Sequence, residues 1–133
     1  MNVKRRPRAT GRRTQKQRVG AVAENIAANF LRDKGLEIVE RNYLRRLGEL
    51  DIVARDGDVL AVVEVRTRAS DRYGGAAASV DARKQQRLIR ATSLLLQQRK
   101  DLARLRVRFD VIAVLEIDRE TPRVEWIRHA FLT

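Results

Sequence analysis

The chain has no cysteine and a single histidine, His129. Disulfide staples and thiolate-held zinc are thereby excluded, and one imidazole cannot make a histidine-rich metal site. Any metal must be held mainly by carboxylates, which favours hard cations such as Mg2+ or Mn2+. Aromatic residues are only 5% of the chain. With no base-reading motif beside them, base-specific recognition of a nucleic acid is not expected. No apolar run approaches the ~20 residues of a membrane span. The basic start is not followed by the apolar stretch of a secretory signal, and it is too poor in hydrophobic residues to lie on a membrane. A soluble, cytoplasmic protein without membrane partners is the expectation.

Acid is also missing where base is abundant. The first eighteen residues carry Lys4, Arg5, Arg6, Arg8, Arg12, Arg13, Lys16 and Arg18 with no Asp or Glu. The net charge of +12 comes from 29 cations and 17 acids, so residues 19–133 keep only +4. The basicity is thus concentrated in an arm, residues 1–18. Such an arm is drawn to polyphosphate by counterion release, without sequence preference. Its alternative is a solubilising, disordered leader.

The remaining chain, residues 19–133, reads as a single domain, with 44% apolar residues in the whole sequence to build one core. Val19, Val22, Ala23, Ile26, Ala27, Phe30 and Leu31 recur at helical spacing before Gly35, predicting a helix over about Arg18–Lys34. An edge-like strand follows over Leu36–Arg45. Two apolar strands, 49–54 and 59–65, flank an Asp-Gly pair that signals a hairpin. A small, glycine-bearing loop (73–80) precedes a second helix from Asp81 to about Lys100, with Leu88, Ile89, Thr92, Leu95 and Leu96 inward. Strands are expected at 107–115 and from Val124 to about Phe131. The order α-β-β-β-α-β-β defines an α/β domain.

Hairpin register links this layout to chemistry. A two-residue turn at Asp56-Gly57 would set Asp51 opposite Val62 and Glu49 opposite Glu64. One face then carries Leu50, Ile52, Ala54, Val59, Ala61, Val63 and Val65, all apolar. The other carries Glu49, Asp51, Val53, Leu60, Val62, Glu64 and Arg66. A slip of one residue would bury Glu64 among the apolar set, so burial selects this register. Glu49 and Glu64 become cross-strand neighbours, with Asp51 on the diagonal at ~7–8 Å. Like charges so close call for a cation or a proton. The face could instead be solvated, but Val53, Leu60 and Val62 beside the acids argue that a helix covers it. Glu24 falls about 100° from the centre of the first helix's apolar stripe, at its edge beside Gly20 and Ala28.

The runs GAVAENIAANFLRDKGLEIVERNY, GELDIVARDG, AVVEVRTR, YGGAAASV, KQQRL and RFDVIAV together resemble the bacterial YraN family, over roughly Val19–Trp126. That family is assigned to the PD-(D/E)XK nucleases and is similar to Holliday-junction resolvases. The resemblance implies a restriction-endonuclease-like fold, a mixed sheet flanked by helices. It also implies a site of Glu24, Asp51, Glu64 and Arg66. Asp51 and Glu64, with Glu24, would bind Mg2+ or Mn2+, and Arg66 would steady developing charge. The signature has lysine where Arg66 stands, and arginine cannot act as a base. Lys84, one turn before Leu88, is the candidate substitute, its alternative being a solvated helix lysine. Gln85 matches the family's Lys-Gln pair and is a candidate contact to the site or the nucleic acid.

A metal-dependent endonuclease acting on DNA, branched DNA or structured RNA is the leading expectation. Arg5, Arg6, Arg12, Arg13, Arg45, Arg46 and Arg68 would bind the backbone around the site. The alternatives are a catalytically silent nucleic-acid-binding module of the same fold and an adaptor docking its arm on a polyanion. Resolvases act as homodimers, but no dimer interface is legible in this sequence.

Overall fold

Thr14 and Gln17 start the first element. The Thr14 hydroxyl accepts from the Gln17 amide at 3.1 Å, and the Gln17 side chain accepts from the Thr14 amide at 2.8 Å. This reciprocal box caps two of the amides that a helix start leaves without partners. Helix α1 therefore spans Gln15–Asp33, starting about one turn before the expected start near Arg18. It stops at Gly35, whose φ of +93° suits a residue without Cβ. The computed structural model describes residues 14–44, 50–68 and 80–131.

Five strands form one mixed sheet in the order β1-β2-β3-β4-β5: β1 (Glu37–Tyr43), β2 (Leu50–Asp56), β3 (Val59–Arg68), β4 (Arg106–Leu115) and β5 (Arg123–Ile127). Strands β3 and β4 are parallel and all other neighbours antiparallel. A parallel pair needs a crossover. Helix α2 (Ala82–Gln98) supplies it, followed by a single 3-10 turn at Lys100–Leu102. The expected α/β order is the observed one, with β1 at the edge. Among the described residues no helix is long and apolar enough to cross a membrane.

Each helix covers one face. Leu88, Ala91 and Leu95 of α2 pack on Val53, Leu60, Val62 and Val111. Ala23, Ala27, Ala28 and Leu31 of α1 pack on Ile52, Ala61, Val63 and Ile112. Strands β3 and β4 are thus covered on both sides, which is why each reads as a nearly unbroken apolar run. Burying one leucine such as Leu31 or Leu95 contributes roughly 1.5–3 kcal/mol. The α1 stripe is rotated from its expected position. Alanines face the sheet and allow close approach, whereas Val22 is 49% exposed. On this stripe Glu24 lies only about 35° from the centre rather than at the edge.

The hairpin also differs from expectation. The turn residues are Gly57 and Asp58, so Asp56 pairs with Val59 and Ile52 with Val63. Glycine at the first central position with φ +63° fits the twist of the flanking strands. This shifts the pairing by two residues, which preserves the faces of Ile52–Asp56 but removes the Glu49–Glu64 and Asp51–Val62 pairs. Glu49 itself lies outside the described residues. Leu50 crosses over: it packs with Val53 and Leu60 under α2, not with Ile52.

Candidate active site

Glu64 sits inside β3, opposite Val111 of β4, and is 3% exposed. Its Oε2 lies 3.1 Å from an Arg66 guanidinium nitrogen and 3.3 Å from Lys84 Nζ. Strand alternation places Arg66 on the same face two residues on. Lys84 arrives from α2, because that helix packs across this face. Both cations converge on one oxygen. The other, Oε1, is buried without a hydrogen-bond partner.

Asp51 stands where the β2–β3 ladder ends at Ile52–Val63. Its Oδ2 accepts a 2.8 Å hydrogen bond from the Val65 amide, taking a donor that a continued ladder would have used. Burial pushes the Asp51 carboxyl up to about 9, aided by the charges of Glu64 and Glu24 and opposed by the Val65 amide. Glu24 comes from α1 on the other side of the sheet, with Arg41 of β1 at 3.9 Å and Arg41 also bound to Asn25 at 2.9 Å. Asp51 is therefore under the field of two other carboxylates.

A carboxyl raised on folding contributes stability fully below its unfolded value near 3.8, and that contribution is lost as pH rises toward 9. Without divalent cations, the protein should therefore lose thermal stability steadily from pH 5 to pH 9. Asp51→Asn keeps an acceptor for Val65 but sheds the charge. Its melting temperature at pH 8 should exceed wild type by about 5 °C or more, since ~1 kcal/mol moves a domain midpoint by several degrees. Parallel pH profiles for both proteins would contradict this.

The donor set fits a divalent cation. Glu64 Oε1 lacks a partner, and Asp51 beside it needs either a proton or positive charge. Both are oxygen donors suited to Mg2+ or Mn2+. Asp51 and Glu64 are the residues that would hold it. Among the described residues no group of three His, Cys, Asp or Glu is close enough to hold a metal, and Asp51 feels Glu24 through its charge.

Other expected site residues are dispersed. Gln85 donates to the Val80 carbonyl at 2.9 Å, closing the start of α2. Arg68, at the end of β3, lines an open cavity of about 550 Å³ with Gln15, Val19, Glu116 and Asp118. Arg5, Arg6, Arg12, Arg13, Arg45 and Arg46 lie outside the described residues, as does the loop 73–79.

Sequence reasoning missed two features. Arg41 reads there as no more than a surface charge of an edge strand. Asp110 is a buried acid in β4, 1% exposed. Its carboxylate accepts from Arg108 at 2.9 and 3.0 Å, from Trp126 Nε1 at 3.0 Å and from the His129 amide at 3.2 Å. Arg108 also reaches Asp56 at 3.4 Å. The signal for Asp110 was an acid inside the apolar run RFDVIAV.

A mixed sheet with a helix on each face and two buried strand carboxylates, Asp51 and Glu64, brought together on neighbouring strands defines the class, an α/β domain of restriction-endonuclease-like arrangement. The family model described as "Uncharacterised protein family UPF0102" matches residues 23–114. A UPF0102 protein of Pseudomonas savastanoi pv. phaseolicola is 44% identical over 119 residues, covering 90% of this chain and 97% of its own. One from Desulforapulum autotrophicum is 45% identical over 119 residues, with the same coverage. One from Pseudomonas aeruginosa is 46% identical over 113 residues, covering 84% and 90%. The chain belongs to UPF0102, the YraN family.

Proposed function

We propose that this chain is a divalent-cation-dependent endonuclease that hydrolyses phosphodiester bonds in DNA, branched DNA included, within the cytoplasm. The observation that carries this reading is the Glu64 carboxylate, with Arg66 and Lys84 on one oxygen and the other buried without a partner beside Asp51. A bound Mg2+ or Mn2+ would polarise the scissile phosphate and supply hydroxide near neutral pH. Asp51, oriented by the Val65 amide, and Glu64 hold the cation. Arg66 and Lys84 are held in place by Glu64 and meet the charge that develops on the phosphate. Glu24 raises the negative field at Asp51 and orients water.

Calorimetry with Mn2+ on wild type and Asp51→Asn tests the site. Wild type should bind one cation and the variant should bind at least ten-fold more weakly. Equal binding by both would remove the site. A cleavage screen against duplex, flap, junction and RNA substrates then tests the activity.

A second reading has its own observation. Arg66 occupies the position of the signature lysine, and a guanidinium cannot accept a proton. A catalytically silent nucleic-acid-binding module would bind these substrates and cut none of them.

A further inference from the structure

We propose that the outer face of α2 is a phosphate-binding track that holds the nucleic-acid backbone as it leaves the site. This inference rests on the nucleic-acid reading of Glu64 and its neighbours. Helix α2 carries Arg83, Lys84, Arg87 and Arg90 and no acid. At 100° per residue, Arg83, Arg87 and Arg90 fall within an arc of about 60° and span ~10 Å of helix. All three are exposed. Elsewhere, arginines such as Arg99, Arg106 and Arg123 close onto Asp101, Asp58 and Glu116. Among the described residues, Arg83, Arg87 and Arg90 meet no acid.

This arrangement works against the helix itself. Like charges three and four residues apart repel. Arg83 and Lys84 also lie in the first turn, where the helix dipole favours anions. Among the described residues, the carboxylates at that end are both committed to Lys84, Asp81 to its amide at 2.9 Å and Glu64 to its ammonium at 3.3 Å. A polyanion along the face relieves both penalties.

The track is continuous with the site, because Lys84 in the same turn as Arg83 ends on Glu64 Oε2. Its ~10 Å length matches about three successive phosphates of one strand, at ~3.4 Å of axis each. Arginine contacts to phosphate position a strand without reading its bases. None of the three residues has a part in the proposed chemistry at Glu64.

The test is the salt dependence of duplex binding by the full chain, measured by fluorescence anisotropy in EDTA so that no cleavage intervenes. The triple variant Arg83→Gln/Arg87→Gln/Arg90→Gln is compared with a control, Arg106→Gln/Arg119→Gln/Arg123→Gln, whose arginines are already closed onto acids. The slope of log affinity against log salt should flatten by about 2 to 3 in the first variant, ~0.9 for each phosphate no longer neutralised. The control should change it by less than 1. An unchanged slope in the α2 variant, or equal flattening in both, overturns the track and leaves an acidic protein as the occupant of this face. Failure of wild type to bind duplex overturns it as well. If the slope flattens as expected but wild type cuts no substrate with Mn2+, the track stands and the nuclease reading falls. If cutting persists with an unchanged slope, the reverse holds.

Discussion

Arg66→Ala should slow phosphodiester cleavage by a factor on the order of 100 or more, the loss typical of one preorganised donor at a developing charge. Mn2+ binding should change little, because Arg66 is a neighbour of Glu64 and not a cation ligand. The geometry supports this division. The guanidinium rests 3.1 Å from Glu64 Oε2, while its Nε is buried without a hydrogen-bond partner. A group so placed is fixed by the strand and has donors to spare. Arg66→Lys should retain or raise activity, since it restores the signature residue and still reaches Oε2. Lys84, at 3.3 Å from the same oxygen, is the helper. Normal cleavage by Arg66→Ala together with inactivity of Lys84→Ala would reverse the two roles. Inactivity of both wild type and Arg66→Lys on every substrate with metal present would favour the silent module.

Asp110→Ala should destabilise the fold by about 3–5 kcal/mol, the cost of removing one partner from a buried ion pair. That is a large share of the ~5–15 kcal/mol that holds a domain together. The carboxylate is 1% exposed and is the acceptor for Arg108, Trp126 and the His129 amide. Its removal strands a buried guanidinium and two further donors at once. Urea denaturation would show a lower midpoint with an unchanged slope. Asp110→Asn, which keeps one acceptor oxygen, should cost less. A loss under 1 kcal/mol for Asp110→Ala would mean that water or Asp56 takes over the pairing. Because Asp110 lies on the α1 side of the sheet, the surviving folded fraction should bind Mn2+ normally.

Much of this could be read from local patterning. The helix and strand order follows from apolar spacing and from the glycines at 35 and 57. The shared face of Glu64 and Arg66 follows from strand alternation, which does not depend on what the strand packs against. The faces of Ile52–Asp56 survived a wrong turn position because the error was two residues and alternation repeats every two, whereas Leu50 beyond them changed sides. Excluding cysteine and histidine metal chemistry needed composition alone.

What the tertiary structure decided are the facts that depend on which surfaces meet. Lys84 could reach Glu64 only if α2 lay across the β2–β3 face, and the spacing of α2 states its inner side but not its target. The α1 stripe turned toward alanines because close approach to the sheet rewards small side chains over the larger Val22. That rotation carried Glu24 inward. Asp51 left the ladder to take the Val65 amide, a departure that regular strand pairing does not foresee. Asp110 was buried by β5 and its Trp126, far along the chain. Periodicity is a property of each element by itself, whereas burial, field and partner are set by elements distant in sequence.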